Sequence, residues 1–218
     1  MKVFQHLDFL AINPAALDAF VDALPAALPA GWSEGEPLNR GTAAMMGKNT
    51  RAVRFIRERS NGIPRTLLAL VVRPGTATVG NIVPNDDDFH DDLGYDRYNA
   101  VLADFAAFAL PVADQYHVQH ALTKPEADIG TWLSPQGVEL LESFSNLANK
   151  STGSGHPMDQ GRWFAFLMQA HREGSSLDVT TLGRELVERL GWGENEAHTL
   201  MLEYEFARAL LSAYDKAE

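Results

Sequence analysis

The chain has 218 residues, no cysteine and a formal charge of −11, which excludes disulfides, thiolate nucleophiles and cysteine-bound zinc and opposes generic attraction to nucleic acid or anionic lipid. Apolar residues make up 45% and charged residues 22%, the ordinary balance of a soluble globular protein that buries a real core as one large domain or two small ones. No run of about 18 apolar residues is present to span a bilayer, and the opening MKVFQHLDFLAINPAAL lacks the apolar core of a secretory signal, so a cytoplasmic location and no membrane partner are expected.

Asn13 and Pro14 signal a helix start, as N-cap and first helical residue. Leu17, Phe20, Val21, Leu24 and Leu28 follow at helical spacing, and Pro25 is expected to end or kink the helix near Leu24. Residues 29–50, rich in Gly, Pro and small polar side chains, read as loop with at most a short strand around Trp32. Three strands are predicted next, at 51–59, 66–72 and 77–83. Their links, at 60–64 and Pro74-Gly75, are too short for parallel crossovers and favour an antiparallel meander.

Beyond Pro84 the pattern turns helical. Tyr98, Val101, Leu102, Phe105 and Ala109 form one stripe, which Pro111 is expected to break, with residues 117–122 extending a second helix. Pro135 opens a helix carrying Val138, Leu141, Phe144 and Ala148. A Gly- and Ser-rich link at 149–157 leads to a helix over 159–172, then to one over 180–190, capped by Asp178 and ended by Gly191. The last and longest helix is predicted over 194–214. The predicted fold class is α+β: an N-terminal helix, a small antiparallel meander over about 51–83, and a mostly helical C-terminal half. The predicted division is 1–128 as an α+β domain and 129–218 as a helical subdomain packed on it.

Charge is distributed unevenly. Eight of the eighteen basic residues lie between Arg40 and Arg73, with Glu58 as the one acid there, a formal +7 against −18 for the remainder. On the first strand of the meander Arg51, Arg57 and Arg59 share a face with Val53 and Phe55, while Arg54 points the other way. These four are the candidates for binding a protein partner through their rigid donor forks. An acid run at 86–92, with Asp86, Asp88 and His90 as its candidate metal ligands, follows the third strand. It lacks the glycine and glutamate that an EF-hand loop places at fixed positions, so no metal is favoured there. Up-down-up topology brings Asp86 and Asp88 towards Arg59 and Arg65, where opposite charges neutralise one another within the fold.

The segment around Lys150, Ser151, Thr152 and His156 resembles a phosphate cradle in composition, but no glycine precedes Lys150 at the spacing of a P-loop and a helix, not a strand, leads into it. It remains a candidate anion-binding nest of backbone N–H groups. The last helix is apolar on two sides, with Leu200 and Tyr204 on one and Leu202, Phe206, Ala209 and Ala213 on the other, which places it centrally or beneath a partner. Glu203, Glu205 and Arg208 lie between those stripes and are candidate buried charges. The N-terminal half of that helix carries glutamates and no Lys or Arg, so DNA reading is not expected.

Two function classes follow. The preferred one is a non-catalytic protein acting by macromolecular interaction or self-association, of the immunity, antitoxin or regulatory kind, with a homodimer formed through the last helix and no cofactor. The alternative is a metal-assisted or phosphate-handling hydrolase. It would use either the acid run or a cleft gathering Lys150, His156, Arg162, His171 and Glu205.

Overall fold

The computed structural model describes residues 1–37, 49–86, 88–89 and 91–217. They divide into two units, Lys2–Pro125 and Glu126–Glu218, the second including Met1. The fold class is α+β, and among the described residues no helix is long and apolar enough to cross a membrane.

The first unit is built on a six-stranded antiparallel sheet. Its strands are β1 (Leu7–Leu10), β2 (Trp32–Glu34), β3 (Arg51–Arg57), β4 (Thr66–Arg73), β5 (Thr76–Pro84) and β6 (Gln119–Leu122), in the spatial order β2-β3-β4-β5-β1-β6. The central meander β3-β4-β5 pairs in continuous register except at Ala69/Leu70, where Gly80 is the extra residue of a bulge. A Cβ at Gly80 would stand 2.7 Å from Val71 Cγ2, so only glycine fits that close approach.

One face of the sheet is apolar by strict alternation, as on β4, where Thr66, Leu68, Leu70 and Val72 are buried and their neighbours only half-buried. Against this face pack α1 (Pro14–Ala23), through Leu17, Phe20 and Val21, and α2 (Gly94–Gln115), through Val101, Leu102, Phe105 and Ala109. Asn13 caps α1, accepting from the Ala15 N–H.

Two expectations are corrected here. Pro111 does not break α2: the helix continues to Gln115, because Val112 and Ala113 beyond the proline are buried in the same core as Ala109 before it. Packing on both sides outweighs a helix penalty of about 3 kcal/mol. Residues 119–122 are the edge strand β6 and not helix. His117, at φ +54°, turns the chain back after α2, and the strand then pairs with β1 from Leu7↔Leu122 to Leu10↔Gln119.

The second unit holds α3 (Pro135–Leu147), α4 (Pro157–Arg172), α5 (Val179–Arg184) and α6 (Glu194–Asp215). Ser134, His156 and Asp178 supply side-chain N-caps for α3, α4 and α5. The core is an aromatic chain: Trp192 stacks on Phe144 at 5.3 Å, Phe144 meets Trp163 at 4.9 Å, and Trp163 meets Phe166 at 5.1 Å. After α5 the chain widens into one π-turn, in which the Leu190 N–H reaches the Glu185 carbonyl. Gly183 gives the Met201 side chain of α6 its seat against α5, since a Cβ there would lie 2.3 Å from Met201 Sδ.

Candidate functional site

The arginines of the meander are held largely by the fold itself. Arg51 reaches across to α1 and bonds both Asp18 and Asp22 at 3.0 Å. Arg57, 5% exposed, donates from Nε to Asp104 on α2 at 2.9 Å and from Nη1 to the Glu58 carbonyl at 3.4 Å. Arg54, on the outer face, donates to the backbone carbonyls of Glu36 and Pro37. Arg59 donates to Asp86, and that contact holds the Asp86 carboxyl below, and the Arg59 guanidinium above, their ordinary values.

Arg65 turns its side chain to Glu58 at 3.4 Å, while its backbone carbonyl accepts from the Asn85 N–H and its backbone N–H helps hold the Asp86 carboxyl below its ordinary value. Among the described residues, the side-chain ion pair with the acid run expected of both arginines is therefore made by Arg59. Arg40, Lys48, Asp87 and His90 lie outside the described residues. Among the described residues, no three His, Asp or Glu side chains converge as metal ligands.

The loop after α3 turns several of its backbone donors inward. Asn149 accepts from the N–H groups of Ser151, Thr152 and Gly153, and Thr152 accepts from Gly155. The His156 ring accepts from the Met158 N–H, and Lys150 donates to the Leu190 carbonyl while lying over the Trp192 ring. Lys150 thus caps the end of the α5 region, where a cation complements the free carbonyls.

The five residues of the expected cleft separate. His156 and Arg162 share an open hollow of about 730 Å³ with the buried Asp159, which Arg162 bonds at 2.7 Å. His171 is bonded instead to Asp215 at 2.7 Å, and Glu205 stands exposed.

On α6 the expected buried carboxylate pair is corrected. Ala197, Leu200 and Tyr204 form the buried line, and at 100° per residue Glu205 lies well off it, in solvent. Glu203 is half-buried and accepts from the Ser154 hydroxyl at 2.9 and 2.8 Å. Arg208 donates to the Leu177 carbonyl at 2.7 Å, beside the Tyr204 hydroxyl on the same acceptor at 2.9 Å.

Among the described residues the buried acids are Asp159 and Glu185, each 5% exposed. Both sit within an apolar stripe, Asp159 four residues before Trp163 and Glu185 between Leu182 and Leu186, a placement visible in the sequence. Burial pushes the Glu185 carboxyl up, opposed by Arg189 and reinforced by Asp128. A raised carboxyl in the native state means that stability falls as pH climbs past the ordinary glutamate value and stays lowered above the folded one. Glu185→Gln should accordingly raise the melting temperature at neutral pH and leave it nearly unchanged in mild acid, where both states hold the proton. Thermal unfolding of the two proteins across pH measures this, and an equal difference at every pH would remove Glu185 as the cause.

The other side of α6 is uncovered. Leu202, Phe206 and Leu210 are 53%, 69% and 56% exposed, and Phe164 and Met168 of α4 are 48% and 42% exposed. Between the two helices runs a groove of about 490 Å³ floored by Leu167, Ala207 and Leu211. The sequence marked the α6 half of this surface. The α4 half was visible only as an apolar i,i+4 pair lying off the stripe of Trp163, Phe166 and Ala170. No family model matches this chain, and no curated protein or solved structure does.

Proposed function

We propose that this chain is a non-catalytic, cytoplasmic protein that works by contact with a protein, whether a partner or a second copy of itself, and that the α4–α6 groove is its contact surface. The observation that carries this reading is the apolar strip of Phe206 and Leu210 beside Phe164 and Met168, all substantially exposed and lining one groove. Contiguous exposed apolar surface is what interaction sites present, whereas scattered apolar residues carry no such meaning. The internal pairing of Arg51, Arg57 and Arg59 supports the same reading, because it withdraws these cations from capture of an acidic partner. An immunity, antitoxin or regulatory role suits a protein of this kind by analogy alone.

A neutral environment-sensitive dye such as Nile red tests the surface. At low protein concentration the folded chain should enhance its emission, and Phe206→Glu should remove most of that enhancement while far-UV dichroism stays unchanged. Equal enhancement from both proteins would show that the dye reads some other region, and the groove would lose its role.

A further inference from the structure

We infer that the occupant of the exposed α6 face is a second copy of this chain, packed antiparallel about a two-fold axis that crosses the helix between Ala207 and Arg208. The inference rests on the contact-surface reading and names its partner. Leu202, Phe206, Ala209 and Ala213 recur at spacings of four, three and four, the seam of a heptad repeat. All four are exposed, and no charged side chain occurs in that seam.

The order of sizes within the seam selects the direction. It runs large, large, small, small. In a parallel pair each residue meets its own copy, so Phe206 would oppose Phe206 and leave Ala209 and Ala213 facing each other across a void. In the antiparallel pair with the axis given, Leu202 lies opposite Ala213 and Phe206 opposite Ala209, large into small at every layer. The same register sets Glu203 opposite Ser212 and Glu205 opposite Leu210, so no carboxylate meets a carboxylate. A self-complementary patch of this kind is what a two-fold interface requires.

Area and charge are compatible with a second copy. Leu202 and Phe206 at these exposures, with the two seam alanines, leave on the order of 400 Å² of surface per copy, short of the roughly 800 Å² per partner of a standard interface and in keeping with a weak, reversible pair. With −11 on each chain, two copies repel at long range, and salt should therefore strengthen the dimer by screening that repulsion. A basic partner seated on the same acidic unit would show the reverse dependence.

Sedimentation equilibrium on the purified chain, at low and high salt, is the first measurement. The expected result is a dimer that tightens with salt. Phe206→Glu and, separately, Ala209→Glu should weaken it by roughly 100-fold or more, since each substitution acts at two symmetric places. Both positions are exposed, so far-UV dichroism should confirm that each variant remains folded.

The absence of cysteine then allows the register to be read by cross-linking. Copies of Ala209→Cys are offset by about 4.5 Å along the axis and should join through a short bismaleimide, whereas copies of Ala213→Cys are offset by about 16 Å and should not. Equal linking at both positions would mean a parallel pair and would overturn the inference. A strict monomer at high micromolar concentration, with Phe206-dependent dye binding intact, would overturn the second copy and leave the contact-surface reading standing for another protein. A dimer indifferent to Phe206→Glu and Ala209→Glu would place self-association on a different face and overturn it as well.

Discussion

Trp163→Ala should destabilise the helical unit by about 3–5 kcal/mol, the range for removing a fully buried large aromatic. The indole is 0% exposed and stands in the middle of the aromatic chain, against Phe144 on one side and Phe166 on the other. Set against a total stability of about 5–15 kcal/mol for an ordinary domain, a loss of that size leaves the unit marginal. Trp163→Phe should behave differently. Its indole Nε1 finds no acceptor among the described residues, and a buried donor left unpaired costs about 1–3 kcal/mol. Phenylalanine removes that donor while keeping most of the ring contacts, so its cost should stay below about 2 kcal/mol. Urea unfolding followed by the fluorescence of Trp132 and Trp192, which lie in the same unit, measures both variants. Equal losses for Ala and Phe would show that the whole indole volume is required and that its N–H carries no penalty.

The parts of the fold legible in the sequence are those whose signals are local. Asn13-Pro14, Asp178 and Gly191 mark helix ends through cap chemistry, which acts over three or four residues. The meander announced itself by its short links and by the apolar run of β4. What the sequence concealed depends on distant partners. β1 has the right alternation, with Leu7 and Phe9 buried, but four residues are too few to stand out, and the strand exists because β5 and β6 flank it. β6 is exposed at all four positions, so it has no buried face to give it a period. Pro111 is a strong local stop signal overridden by core packing on both sides of it.

The site was legible by the same rule. The two-sided pattern of α6 showed two apolar faces, because periodicity reports which faces are apolar. It could not report which of the two faces the rest of the unit covers, and so placed Glu205 in the core. The basic stretch was equally visible as a charge excess. Its meaning came only from topology, which carries Asp18 and Asp22 of α1 and Asp104 of α2 to the arginines of β3.

Asp104→Ala should cost about 2–3 kcal/mol, towards the lower end for breaking a buried ion pair, because only one member of the pair is fully buried. The Arg57 side chain is 5% exposed and the Asp104 side chain 49%. Removing the carboxylate strands a guanidinium whose remaining acceptor among the described residues is the Glu58 carbonyl at 3.4 Å. Water entering where Asp104 stood recovers part of the loss. Arg57→Met should cost less, within about 1.5 kcal/mol, since an unbranched apolar side chain fills the space without a charge to solvate.

Arg51 supplies the contrast. Its pairs with Asp18 and Asp22 are exposed on both sides, and Arg51→Ala should change stability by no more than about 1 kcal/mol. Chemical denaturation of the three variants gives the ordering. If Arg57→Met proves the most damaging of them, the guanidinium contributes more than its pair with Asp104, and a further acceptor for it must be sought. If Asp104→Ala is the most damaging, the charge on β3 that looked available to a partner is one that α2 must neutralise for the unit to fold.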